Sequence, residues 1–217
     1  MKARDPATTR TKLLDAARDV IRAKGYSAAT VDDICAAAGV TKGGFFHHFA
    51  SKEALGVAAI EQFGAMADSL FAAAPYAALP DPRDRVLGYV DFRAALIKGE
   101  IAQFTCLMGT TVQETYATHP ELREACDQGM SEHVAMLTRD LAAAKRLYAP
   151  EASWSPESVA YFMQAVLQGG FIFAKAKQGP AIAIESLAHL RRYLETLLSS
   201  PTHHPQSANH KEKETKP

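Results

Sequence analysis

The sequence lacks any apolar run approaching the roughly 18 residues that a membrane-spanning helix needs, so no transmembrane segment is expected. Its start, Met1-Lys2-Ala3-Arg4-Asp5-Pro6, leads into a polar stretch without an apolar signal core, and a cytoplasmic location is the default expectation. Cysteine is scarce: Cys35, Cys106 and Cys126 stand far apart, with no CxxC pair and no zinc spacing. Reduced thiols are expected, with no disulfide framework and no metal site. Neither GxSxG nor HExxH occurs, so nothing places a catalytic nucleophile or a catalytic zinc. No cofactor is called for. A helical enzyme and a helical interaction protein without DNA affinity remain as the alternative readings.

What is present is apolar content and helical spacing. With 217 residues, 47% of them hydrophobic, the chain can bury a sizeable core in one medium domain or two small ones. The net charge is zero, but it is unevenly spread. Residues 1–55 hold nine Lys and Arg against six Asp and Glu, whereas residues 56–200 hold twelve against sixteen. A basic head on an acidic body fits a polyanionic partner for the head alone, although ordinary scatter explains the count as well.

Helical patterns run the length of the chain, and no β-hairpin signal or internal repeat interrupts them. Leu13, Leu14, Ala17, Val20 and Ile21 mark the first amphipathic helix, with Thr8 or Thr9 as its cap and Gly25 at its end. Thr30 caps a second helix, with Asp33 three residues on as a shortened capping box. Thr41 caps a short third helix, and Ser51 a fourth that extends to about Ala74. After a loop marked by Pro75, Pro80 and Pro82, helices are expected over 83–99, 103–117, 120–148 and 156–179. A last one runs from Pro180 to near Ser199. Residues 201–217 read as a disordered polar tail.

The stretch "TVDDICAAAGVTKGGFFHHFASKEAL", residues 30–55, places two short helices around a Gly39-Val40 step, which is a helix-turn-helix. Gly39 supplies positive φ, Val40 plugs the angle, and Val31, Ile34 and Phe49 form the core between the helices. Such a unit presents the start of its second helix to the major groove. Thr41 and Lys42 stand there, at the positive end of the helix dipole. Gly43 and Gly44 would each cost an ordinary helix roughly 1 kcal/mol, and close approach to DNA is one reason to keep them. His47 and His48 point to different sides of a helix with no third ligand spaced for them, so they are not read as a metal pair.

On these residues, "GVTKGGFFHHFASKEAL" preceded by "GYSAATVDDICAAA", the chain resembles the N-terminal DNA-binding region of the TetR family of transcriptional repressors over about residues 9–60. The resemblance implies an all-α protein: an N-terminal three-helix helix-turn-helix domain (1–55) joined to an α-helical ligand-binding and dimerisation domain (56–200). It implies a homodimeric, ligand-responsive repressor on double-stranded, palindromic operator DNA, released by a small apolar or aromatic effector. Carried over by position, Thr30 and Thr41 would meet phosphates. Lys42, Gly43, Gly44, Phe45 and His47 would face the groove, and His48 and Lys52 would reach the DNA backbone. Phe46 stands where the family commonly has Tyr, and Gly44 where it often has Thr or Ser, which shifts readout toward backbone and shape.

Two apolar stripes, Val159, Phe162, Met163, Val166, Leu167 and Phe173, then Ile184, Leu187, Leu190, Leu194, Leu197 and Leu198, are the sequence basis for pairing of the last two helices with a second copy. The middle helices are expected to enclose an effector pocket. Its candidate walls are Phe63, Met66, Tyr89, Phe92, Phe104, Cys106, Met108, Gln113, Tyr116, Met136, Phe162 and Phe171, all of which could equally be plain core. Cys106, in the apolar setting "FTCLMG", reads as an inert thiol, with an oxidant- or electrophile-sensing role as the alternative.

Overall fold

A computed structural model of the chain describes residues 6–199; the tail assigned to residues 201–217 lies outside them. Ten α-helices and a short 3-10 turn make up the described chain, with no strand among those residues. They are α1 (Pro6–Lys24), α2 (Val31–Ala38), α3 (Lys42–His48), α4 (Lys52–Ala72), the turn Pro75–Ala78, α5 (Pro82–Ala95), α6 (Ile101–Phe104), α7 (Leu107–Thr115), α8 (Pro120–Tyr148), α9 (Pro156–Lys177) and α10 (Ala181–Leu197). The all-α expectation is met.

Local chemistry sets most of the boundaries. The capping box of α2 is complete: Asp33 N donates to Thr30 Oγ1 at 3.0 Å, and Thr30 N to Asp33 Oδ2 at 3.1 Å. Lys24 also donates to the Asp33 carboxylate, and these bonds to its charged form pull its pKa down to about 2. Thr41 and Ser51 cap α3 and α4 in the same way, accepting from Gly44 N at 3.1 Å and Ala54 N at 3.0 Å. Gly39 closes α2 with φ of 63°, a value that side-chain-bearing residues rarely adopt.

Three boundaries depart from the sequence reading. α1 begins at Pro6, ahead of Thr8 and Thr9, because proline loses nothing by lacking an N–H in the first turn. α5 stops at Ala95, and the chain turns through Gly99 at φ of 78°. The helix expected over 103–117 is broken at Thr105 and Cys106, both extended. The break is held from two sides. Cys106 Sγ caps α7 by accepting from Gly109 N at 3.4 Å, and Arg22 of α1 donates to the carbonyls of Thr105, at 2.8 Å, and Gln103.

Two apolar cores result. The N-terminal core joins Leu13, Ala17 and Ile21 of α1 to Ile34, Phe45, Phe49, Leu55 and Ile60. It is completed from far along the chain by Leu107, Met108, Leu122 and Cys126 of α7 and α8. The second core packs α5, α8, α9 and α10 around Tyr89, Leu141, Met163 and Leu194. Helix α4 belongs to both, through Leu55–Ile60 at its start and Phe71 at its end. Its middle lies between the cores, where the packing opens.

Candidate functional site

Helix α3 stands on the surface, anchored from one side only. Phe45 is fully buried and Phe49 nearly so, four residues apart on the inward face. Thr41, Lys42, Gly43, Phe46 and His47 are exposed, while Gly44 and His48 are half-buried. This corrects the expectation for Phe45: its ring is held in the core beside Phe49, centroids 6.1 Å apart, and offers no face to a groove. Phe46, 53% exposed, takes the outward place instead. Sequence reasoning missed it, although the Phe45–Phe49 spacing of one helical turn was the available signal. Arg10 was missed too; it is exposed, with its guanidinium 5.2 Å from the Phe49 ring, next to α3.

The polar groups differ in how committed they are. Lys42 Nζ lies 3.1 Å from Asp32 Oδ1 in a solvent-exposed pair, a contact worth no more than about 1 kcal/mol and easily exchanged for another anion. Thr41 Oγ1 accepts from Gly44 N, leaving its own proton for an outside acceptor. Thr30 is engaged in both directions, since its hydroxyl also donates to Asp33 Oδ2 at 2.9 Å. A Cβ on Gly43 would meet nothing within 4 Å, so that position is open to the outside.

Lys52 is held elsewhere than expected. Its ammonium donates to the carbonyls of Tyr26 and Ala29, both at 3.0 Å, and stands 4.3 Å from the Tyr26 ring centroid. It ties the loop between α1 and α2 to the start of α4. Lys52→Met, which keeps the stem and removes these donors, should lower stability by about 1–3 kcal/mol in urea unfolding. The salt slope of DNA binding should stay at the wild-type value. A slope reduced by about one unit at unchanged stability would put Lys52 on a phosphate instead.

Between the two cores lies a cavity of about 1300 Å³. Its wall combines Arg18, Asp19 and Arg22 of α1, the run Gln62–Phe71 of α4, Arg93 and Leu96, residues 100 and 102–106, Met108 of α7, Gly129, Met130 and His133 of α8, and Gln164, Gln168 and Phe171 of α9. Of the residues expected there, the fold brings together Phe63, Met66, Phe104, Cys106, Met108 and Phe171. The others lie off the wall. Tyr89 is buried behind it, its hydroxyl 2.9 Å from His133 Nε2. Phe92 packs edge-on against Phe71, and Met136 packs against the second core. Gln113 bends back to the Gly109 carbonyl, Tyr116 is 63% exposed, and Phe162 is exposed beside Tyr193.

Gln164 Nε2 donates to the Tyr89 hydroxyl at 3.0 Å, and that hydroxyl lies 2.9 Å from His133 Nε2, so the three side chains form one hydrogen-bonded chain. Burial, reinforced by the Arg93 charge, holds the His133 pKa down at about 3, and the ring is neutral at physiological pH. Burial likewise raises the thiol pKa values of Cys35 and Cys126, the latter to about 12. No group of three or more His, Cys, Asp and Glu suited to a metal occurs among the described residues, and none of their helices is long and apolar enough to cross a membrane.

Comparison with known proteins agrees with this geometry. Residues 13–59 match the family described as bacterial regulatory proteins, tetR family, and residues 82–192 match the tetracyclin repressor-like C-terminal domain. The HTH-type transcriptional repressor NemR of Escherichia coli K12 is 24% identical over 188 residues, covering 87% of this chain and 94% of that protein. The transcriptional regulator AcuR of Cereibacter sphaeroides is 28% identical over 185 residues, covering 82% and 81%. The solved structure of a TetR transcriptional regulator from Chloroflexus aurantiacus superposes with a TM-score of 0.78 at 23% identity, covering 88% of this chain and 96% of that one. Matched in both its halves, and over half its length by the C-terminal domain alone, the chain belongs to the TetR family of bacterial regulatory proteins.

Proposed function

We propose that the chain is a ligand-responsive transcriptional repressor that grips a palindromic operator as a homodimer and lets go when a small apolar or aromatic effector fills the cavity. The observation that carries the reading is the setting of α3: anchored inward by Phe45 and Phe49, it offers Thr41, Lys42, Gly43, Phe46 and His47 outward. The relative NemR is named a repressor. On this reading residues 1–55 are the DNA-binding unit, and the body from 56 to 200 takes the effector and pairs the protomers.

Pairing is supported by what stays uncovered. Of the two apolar stripes in the sequence, Val159, Met163, Leu167, Leu187, Leu190, Leu194 and Leu198 are used up inside the protomer. Tyr161, Phe162, Ile172 and Phe173 of α9, with Ile182, Ile184 and Tyr193 of α10, remain exposed. Along α9 the exposed set recurs as 161, 162, 165, 172 and 173, one face of a helix. Gly169 sits within that face with open space where a Cβ would be, so a partner helix can come close. A face of this kind suits a four-helix interface between two copies.

Coupling is supported by the cavity's position. Its wall includes α1, the first helix of the DNA-binding unit, and the middle of α4, which links that unit to the body. Arg22 holds α1 to the Gln103 and Thr105 carbonyls, and Glu114 of α7 accepts from Ser27 N at 2.8 Å. An occupant that favours a different spacing of α4 and α6 would move α3 with them. It acts only through its differential affinity for the two arrangements.

A salt-titrated mobility shift with DNA upstream of the chain's own gene, alongside analytical ultracentrifugation, tests the reading. A dimer is expected at micromolar concentration. The log of affinity should fall linearly with log salt, by about 0.9 per phosphate contact. A protein that is monomeric, or that ignores every duplex in low salt, overturns it.

A further inference from the structure

The cavity contains a cation with nothing to hold it. The side chain of Arg93, near the end of α5, makes no hydrogen bond and no ion pair among the described residues, and its Nε is buried without an acceptor. Its guanidinium rests instead among rings, 5.1 Å from the Phe71 centroid and 6.0 Å from those of Tyr89 and Phe171. The other arginines on the wall are occupied: Arg18 by Asp15 and Asp19, and Arg22 by the Thr105 and Gln103 carbonyls. The carboxylates on the wall do not answer Arg93 either. Asp19 pairs with Arg18, and Asp68 and Glu100 are solvent-exposed and form no ion pair with it. A guanidinium keeps its charge in any such setting, so the cavity carries a permanent, uncompensated positive charge against aromatic walls.

Neutral polar side chains share the cavity wall with it. The Gln168 side chain makes no hydrogen bond among the described residues, and the His133 ring is uncharged. We infer that the effector is an anion, a carboxylate on an apolar or aromatic body, with Arg93 pairing its charged head and Phe71 and Phe171 packing its body. The inference rests on the cavity being the effector site. Charge-assisted bonds from a guanidinium to a carboxylate are among the stronger polar contacts, and a buried donor without an acceptor gains most from one. The planar head of Arg93, already seated on rings, is preorganised for that geometry.

Isothermal titration of the full-length protein with matched pairs tests this: 2-naphthoate against 2-naphthamide, and decanoate against decanamide. The wild type should bind at least one acid about tenfold or more tightly than its amide. Arg93→Gln should erase that preference while leaving affinity for the amide within about twofold, and Arg93→Lys should keep part of it. Should Arg93→Gln fail to fold, judged by circular dichroism, the acid-to-amide ratio of the wild type and of Arg93→Lys decides alone. Equal binding of acid and amide by the wild type, or an acid preference that survives in Arg93→Gln, overturns the anion inference and leaves the cavity reading standing. No binding of any of the four compounds overturns the cavity reading and the inference together.

Discussion

Replacing Phe45 by Ala is expected to lower the unfolding free energy by about 3–5 kcal/mol, a large share of what a domain of ordinary stability has. Phe45 is wholly buried, edge-on to Phe46 at 5.0 Å and beside Phe49 at 6.1 Å. Nothing nearby can fill the gap cheaply, because the core around it is shared by α1, α2, α3 and α4 and closed by α7 and α8. The lost ring removes apolar contact and leaves a cavity besides. Operator affinity should fall as a consequence, since α3 has only Phe45 and Phe49 as inward anchors. Phe46→Ala supplies the contrast. That ring is half exposed, so its removal should cost under about 1 kcal/mol of stability, and any effect should appear in DNA binding. Urea unfolding of the two variants checks the pair. Equal losses for Phe45 and Phe46 would mean that the inward and outward faces of α3 are assigned wrongly.

Gly43→Glu is expected to do the opposite: to leave the fold intact and weaken operator binding by about two decades or more. A side chain at Gly43 meets nothing within 4 Å in the protomer. A helix former in place of glycine stabilises α3 by up to about 1 kcal/mol, and an acid in the first helical turn adds to that. On DNA the same side chain stands where backbone should approach the duplex and carries the sign of the phosphates. If the chain acts as the proposed dimer, the penalty is counted once in each half-site. Gly43→Ala separates the two causes, because it adds bulk without charge and should lose less affinity. Thermal unfolding and a mobility shift on the same preparations are the measurements. Wild-type affinity in Gly43→Glu would place α3 outside the groove.

Gly44 makes the neighbouring comparison less clean. A Cβ there would come within 2.9 Å of Val40 Cγ1 and 3.4 Å of Thr41 Oγ1, so a substitution disturbs the turn as well as the outer face. Of the two glycines that the sequence presents as equals, one is closely approached by the Val40 side chain and the other meets nothing within the chain.

The short-range features were legible in the sequence. Caps at Thr30, Thr41 and Ser51 fall where they were expected, as does the start of α8 at residue 120, because a cap or a proline acts within one turn of itself. The apolar stripes of α9 and α10 were visible too, but not which part of each meets its own protomer, since that depends on α5 and α8 arriving against one side. The break at Cys106 was hidden for the same reason: half of it is made by Arg22, over eighty residues away in the chain.

Sequence alone determined that the chain is helical and that a short, glycine-opened helix follows a tight turn near its start, since these states are chosen by neighbours along the backbone. It also carried the family likeness in that stretch. Only the folded chain decided that Phe45 turns inward and Phe46 outward, that Lys52 holds a loop, and that six of the twelve expected residues share a cavity wall with Arg93. Whether a charge is answered or a ring covered depends on groups brought from distant parts of the chain, and no local pattern records which ones arrive.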